Sequence, residues 1–203
     1  MSETTVIPPG LEGLGQLEHH ASGGAADTQW RDIQSKRYYN TSVVVAGQKI
    51  LLGRKKRGWG IDKYNGFGGK VEPGESPLEA ATRELKEEAG IDAVLKHAGT
   101  LVFLTSSVEW AFHIDIYRAD SWTGEITESE EMAPEWFSTT ATPGSDSTDS
   151  AGLPPIPYDK MWETDSCWLP LLLSNQRFAG RADFVGEKDK SKPYKWWYGV
   201  VRS

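Results

Sequence analysis

The stretch from Ser76 to Gly90 is the most strongly determined local structure in the chain. Ser76 is an N-cap residue type, Pro77 falls at the first helical position, and Glu79 completes a capping box. Leu78, Ala81, Leu85 and Ala89 recur at helical spacing and predict a buried stripe, and Gly90 can end the helix in the left-handed conformation. A helix over 77–89 is therefore expected. Glu84, Glu87 and Glu88 lie within one turn of each other, which predicts a common acidic side roughly opposite the apolar stripe. Like charges at these spacings repel, so this side is either a solvated face with Arg83 paired to Glu87 or a place that holds positive charge.

The segment before the helix bears on that choice. Asn65-Gly66-Phe67-Gly68-Gly69-Lys70 is too rich in glycine for a helix or a regular strand interior. Running almost directly into the helix, it lets backbone carbonyls and amides approach the space of the carboxylates. Hard oxygen ligands of this kind suit Mg²⁺, with Mn²⁺ as a substitute. Such metal ions bridge phosphate oxygens and orient an attacking water. A carboxylate outside the direct coordination shell can serve as general base.

The other elements place this unit in an α/β chain. Thr41 to Val45 is apolar and β-branched, and Ala46-Gly47-Gln48 turns it into Lys49-Ile50-Leu51-Leu52, a hairpin. Further strands are expected at 99–105, 110–117, 135–137, 177–185 and 194–201, and Pro170-Leu171-Leu172-Leu173 starts or lies in a short helix. In the second of these, Phe112, Ile114 and Ile116 alternate with His113, Asp115 and Tyr117, so one face is expected to be buried. Residues 1–35 are dominated by small and polar types and read as a disordered tail ahead of a domain at 36–203. Residues 139–155 read as a flexible insert. The Trp196-Trp197-Tyr198 cluster fits sheet packing better than a base-stacking platform.

The formal charge of −7 argues against a protein that coats a nucleic-acid polymer, which needs a basic footprint. Polyphosphates remain accessible to an acidic chain when divalent metal supplies local positive charge. The single cysteine, Cys167, reads as a packing residue. No run approaches the ~18 apolar residues of a membrane span, and the acidic N-terminal stretch differs from signal and mitochondrial leaders. A cytoplasmic monomer is expected, with the nucleus as a second location.

Gly69, Glu75, Arg83, Glu84, Leu85, Glu87, Glu88, Gly90 and Ile91 fill every defined position of the pattern GX5EX7REUXEEXGU, where U is a bulky aliphatic residue. The chain thus resembles the Nudix family. The resemblance implies a mixed β-sheet sandwiched between α-helices and attack by water on a nucleoside diphosphate linkage. It also implies metal ligands at the Gly68 carbonyl, Glu84, Glu87 and Glu88. Arg83 would orient the glutamates, and Glu75 would be structural.

Beyond this box, Leu51 to Gly58, Asn65 to Val71, Glu130-Glu131-Met132 and Trp168 to Leu173 resemble the oxidised-purine nucleoside triphosphatases within that family. These implied substrates are 8-oxo-dGTP and 2-hydroxy-dATP, cleaved to monophosphate and pyrophosphate. The resemblance adds Glu131 as a metal ligand from outside the helix. It places substrate contacts at Asn40, Lys55, Asn65, Phe67, Gly68, Gly69 and Lys70. Trp162 would stack on the base, with Trp59 and Phe103 completing an aromatic pocket. One departure matters: the pattern has two adjacent aspartates after the tryptophan, and here the run is Trp162-Glu163-Thr164-Asp165. Two neighbouring carboxyls can share a proton, whereas Thr164 cannot carry charge. Altered discrimination between oxidised guanine and oxidised adenine is expected, read by Thr164 and Asp165. A Nudix enzyme of another nucleoside diphosphate derivative, or a non-catalytic Nudix binding module, stays open.

Overall fold

The computed structural model describes residues 6–25, 28–144, 148–186 and 190–202. Its strands are β1 (Gln16–Gly24), β2 (Lys36–Ala46), β3 (Lys49–Lys55), β4 (Tyr64–Asn65), β5 (Lys96–Leu104), β6 (Ala111–Ala119), β7 (Met132–Ser138), β8 (Phe178–Val185) and β9 (Lys192–Arg202). The helices are α1 (Pro77–Ala89) and α2 (Asp165–Leu173), with a 3-10 turn at Tyr158–Lys160. The strands form one mixed sheet in the order β1-β9-β8-β5-β6-β2-β3-β4, with β7 on the other side of β3. Parallel pairing occurs at β2/β6 and β5/β8; the remaining pairs are antiparallel.

Alternation along β2 and β3 assigns the two faces. Val44, Leu51 and Phe67 pack with Leu85, Ala89 and Ile91 around α1. Val43, Val45, Ile50 and Leu52 pack with Leu169, Leu172, Phe178 and Tyr198 around α2. The expected sheet between helices is thus present, with a core on each face. Cys167 packs against the second of these cores as a free thiol.

Helix α1 has the bounds the sequence predicts. The Ser76 hydroxyl accepts from the Glu79 amide at 3.3 Å, the Ser76 amide donates to Glu79 Oε2 at 2.7 Å, and Gly90 caps the end at φ 75°. Its buried stripe differs from the expected one. Leu78 is 46% exposed, and the stripe is Ala80, Ala81, Leu85, Glu88 and Ala89. Small residues at 80, 81 and 89 let the helix lie close on the sheet, which draws Glu88 inside with them. The acidic residues therefore do not share one solvated side opposite the stripe.

The N-terminal segment also corrects an expectation. Gln16–Gly24 is an ordered strand, antiparallel to β9 from Gln16↔Arg202 to Gly24↔Lys195. Leu11 and Leu17 are buried with Val102, Leu104, Ala179 and Trp197. Behind them lies an ion pair with no exposure at either side chain: Arg181 Nε contacts Asp183 Oδ1 at 2.8 Å. Arg181 also donates to the Pro9 carbonyl at 2.7 Å and to the Arg31 carbonyl, while Asp183 accepts from the Arg31 amide at 2.9 Å. Backbone pairing and this clamp supply the order that the small, polar side chains alone do not announce.

Residues 145–147 of the expected insert and 1–5 and 26–27 of the expected tail lie outside the described residues. On either side of 145–147, Thr139 N donates to the Gln48 carbonyl at 2.9 Å and Ser138 N to the Pro154 carbonyl at 2.7 Å.

Candidate active site

Strands β2 and β3 pair only near their hairpin, from Val44↔Leu51 to Ala46↔Lys49. Beyond that they diverge, and the glycine loop enters the split. β4 pairs with β3 at Gly53↔Asn65 and Arg54↔Tyr64, while Phe67 and Lys70 bridge β2 at Ser42 and Tyr39. Phe67 is wholly buried in the core against α1 and holds the loop down. It packs in this core and, unlike the glycines that follow it, does not line the cavity described below.

The loop's backbone then meets the acidic helix. The Gly68 amide donates to Glu88 Oε2 at 2.8 Å. A Cβ on Gly69 would stand 2.5 Å from Glu84 Oε1, so only glycine admits that carboxylate against the chain. Glu88 is buried, and burial lifts its pKa to about 7, with the negative field of Glu84 adding to the effect. Burial also raises that of Glu84. Lys55 is the cation whose field opposes the rise at Glu88.

Arg83 organises the outer part of this helix. Its guanidinium contacts Glu75 at 2.8 Å, Glu84 at 3.0 Å and Glu87 at 3.2 Å. The fork on Glu75 holds that carboxyl below its ordinary range. Glu87 is the most exposed of the three partners, with 59% of its side chain open. Glu131 approaches from the turn before β7, its charge registering at both Glu84 and Glu88, and forms an ion pair with Arg57. Among the described residues, no three acidic, histidine or cysteine side chains converge as a ready metal site.

The donor chemistry nonetheless fits a divalent cation. The buried Glu88 and the half-buried Glu84 both lie against the Gly68–Gly69 backbone, which can supply carbonyl oxygen, and their mutual repulsion is only partly met by Lys55 and Arg83. Mg²⁺ or Mn²⁺ would relieve that repulsion with ligands of the preferred type.

A cavity of about 270 Å³ opens beside this centre. Asn40, Lys55, Asn65, Gly68 and Gly69 line it toward the acidic helix, and Trp59, Phe103, Trp162 and Asp165 line it toward α2. The Trp59 and Trp162 rings lie 5.3 Å apart in tilted contact, with Trp59 42% exposed at the mouth. Asn40 is 2% exposed, and its Oδ1 has no hydrogen-bond partner among the described residues. Asn65 Oδ1 accepts from the Gly66 amide at 2.9 Å, which fixes the orientation of its amide. Asp165 is fully buried; Oδ2 accepts from the Trp162 amide at 3.0 Å and Oδ1 from Trp168 Nε1 at 2.9 Å. Burial raises its pKa to about 7.

Two further expected contacts lie off the cavity wall. Thr164 is 1% exposed and does not line the cavity; as N-cap of α2 it sits beside Tyr198. Lys70 is exposed and also lies off the cavity wall, while its carbonyl accepts from Arg83 at 3.4 Å. Lys63, Phe112, Ile114 and Trp168 line the cavity without having been singled out from the sequence. The alternation in β6 placed Ile114 on an apolar face. Nothing in the local sequence marked that face as a cavity wall rather than core.

Residues 36–156 match the NUDIX domain family model. The oxidized purine nucleoside triphosphate hydrolase of Danio rerio is 40% identical over 145 residues, covering 71% of this chain and 84% of that protein. Its counterpart in Mus musculus is 38% identical over 153 residues, covering 75% and 89%. Among solved structures, a MutT protein from Bacillus halodurans aligns with a TM-score of 0.55 at 24% identity, over 77% of this chain and 97% of that one. The box, the mixed sheet between two helices and these matches agree, and the chain belongs to the Nudix family of hydrolases.

Proposed function

We propose that the protein hydrolyses oxidised purine nucleoside triphosphates of the 8-oxo-dGTP and 2-hydroxy-dATP type, releasing the monophosphate and pyrophosphate. The observation that carries this reading is the joining of two unlike ends in one cavity. At one end the Asp165 carboxyl lies near the Trp59–Trp162 pair, and the Asn40 acceptor, without a hydrogen-bond partner among the described residues, lines the same cavity. At the other, Lys55 and the Gly68–Gly69 backbone lead to Glu84 and Glu88. A buried acceptor without a partner is costly unless a ligand donor satisfies it, and a purine edge carries such donors. The aromatic walls supply faces on which a base can stack.

Glu84 and Glu88, with the Gly68 carbonyl and Glu131, are the residues that would hold divalent cations, and Glu87 would join them from the helix surface. Magnesium bound there would neutralise phosphate charge and lower the pKa of the attacking water. Lys55 meets the phosphate chain as a point charge. Arg83 holds Glu84 and Glu87 in place through its fork. A glutamate of this helix outside direct coordination would take the proton of the attacking water. Base choice rests on Asn40, Asn65 and Asp165, which line the cavity, whereas Thr164 is not among its lining residues. Among the described residues no helix is long and apolar enough to cross a membrane. We place the protein in the cytoplasm or nucleus, acting as a monomer.

Product analysis of the magnesium-supplemented reaction tests the proposal. Monophosphate and pyrophosphate from oxidised purine triphosphates support it; orthophosphate release, or no turnover, contradicts it.

A further inference from the structure

Lys63 lines the cavity between the aromatic pair and the glycine loop. Its amide donates to the Gly60 carbonyl at 3.0 Å and its carbonyl accepts from the Lys55 amide at 2.9 Å, so the turn carrying it hangs from β3. From that turn Nζ donates to the Met161 carbonyl at 2.8 Å and stands 4.7 Å from the Trp162 ring centroid. The same turn touches the ring again at Gly60, where a Cβ would lie 2.9 Å from Cζ2 of Trp162. Lys63 thereby ties the glycine-loop side of the cavity to the segment that carries Trp162 and Asp165.

We propose that Lys63 is a specificity-determining residue: anchored on the Met161 carbonyl, its ammonium fixes the Trp162 ring and braces the segment in which the Trp162 amide binds Asp165. The inference rests on the reading of this cavity as a purine site. Its first part is steric and electrostatic. A cation near an indole face is attracted to it, more strongly where water is excluded. With the ammonium also bonded to a backbone carbonyl, the ring loses freedom to swing out of the cavity.

The second part concerns Asp165, whose burial opposes ionisation. Lys63 favours its carboxylate and Glu163 disfavours it. Tyr158 from the 3-10 turn, Cys167 from α2 and Tyr198 from β9 are the other titratable groups that interact with it, and burial keeps each of them neutral. A carboxylate only accepts, matching the N–H donors of a guanine-type edge; a carboxylic acid also donates, matching an adenine-type edge. Residue 164 is a buried threonine that does not line the cavity, so no second carboxyl there shares the proton. Held beside this segment by the Met161 carbonyl, the Lys63 ammonium favours the carboxylate form of Asp165 and with it the oxidised-guanine edge.

The test uses the full chain without metal and the monophosphates 8-oxo-dGMP, 2-hydroxy-dAMP and dGMP as probes. Calorimetric Kd values would be measured for wild type, Lys63→Met and Lys63→Arg between about pH 6 and about pH 8. Lys63→Met is expected to weaken 8-oxo-dGMP about tenfold and 2-hydroxy-dAMP less than about threefold. It should also move the midpoint of the 8-oxo-dGMP pH profile upward. Lys63→Arg, retaining the charge, is expected to restore most of the affinity and the midpoint. Unchanged Kd values in Lys63→Met overturn the proposal, as does equal weakening of all three probes with no shift in the profile. If wild type fails to distinguish 8-oxo-dGMP from dGMP, the oxidised-purine reading fails. The effect of Lys63→Met on dGMP affinity then still decides whether the lysine shapes this site.

Discussion

Glu88 Oε2 accepts a hydrogen bond from the Gly68 amide at 2.8 Å, joining two residues 20 positions apart. That contact locks the glycine loop to α1 and places a buried carboxyl beside a backbone that can supply carbonyl ligands. Glu88→Gln keeps an oxygen able to accept from Gly68 and removes the charge. Magnesium-dependent pyrophosphate release should fall by a factor on the order of 10² to 10⁴, while the thermal midpoint and nucleotide affinity are retained. Activity within about twofold of wild type would remove Glu88 from the chemistry.

Gly69→Ala tests the same junction from the backbone side. A Cβ there would stand 2.5 Å from Glu84 Oε1, so the carboxylate must move or the loop must lift. Hydrolysis is expected to drop at least tenfold, since displacements of about 1 Å at a reacting centre can cost up to ~10²-fold. Steady-state kinetics with a parallel circular-dichroism melt would separate this loss from unfolding.

The Arg181–Asp183 pair predicts where the fold is most sensitive away from the cavity. Both side chains are without exposure, and Arg181 holds the Pro9 and Arg31 carbonyls. Asp183→Asn leaves the buried guanidinium unbalanced and should cost about 3–5 kcal/mol in urea denaturation. Removal of residues 1–24 should also destabilise, because it uncovers the edge of β9 and strips the cover from Trp197. A truncated chain as stable as the full one would contradict a structural role for β1.

These contrasts show what was readable in the chain. The capping box, Pro77 and Gly90 fix α1 by local chemistry, so both of its ends match. The strands follow from alternation, and the acidic pattern fills the family box. What could not be read depends on partners distant in sequence. Leu78 looks like a core residue by spacing, but the packing of α1 buries Glu88 and leaves Leu78 46% exposed. The run His19-His20-Ala21-Ser22-Gly23 has no apolar alternation; it becomes a strand because β9 offers an open edge and Trp196 needs a glycine beneath its ring. Phe67 and Thr164 match substrate-contact positions yet face the interior, whereas Lys63 reaches the cavity only because its turn folds toward Met161.

Asp165 gives the stability a pH dependence of defined sign. Its pKa is about 7 in the folded chain and near the ordinary ~3.9 when unfolded. The folded state therefore binds the proton more tightly, and the contribution is complete below about pH 4 and lost as pH rises through about 7. Urea midpoints of wild type and Asp165→Asn at about pH 5 and about pH 8 should show a smaller decline in the variant. Identical declines would mean that Asp165 ionises as it does in the unfolded chain.

Steady-state kcat/KM values for 8-oxo-dGTP, 2-hydroxy-dATP and the unmodified dNTPs, measured with magnesium and with product identification, address the central claim most directly. An oxidised purine triphosphate should exceed its unmodified parent by about tenfold or more and yield monophosphate and pyrophosphate. Equal kcat/KM for all of these nucleotides would contradict the assignment.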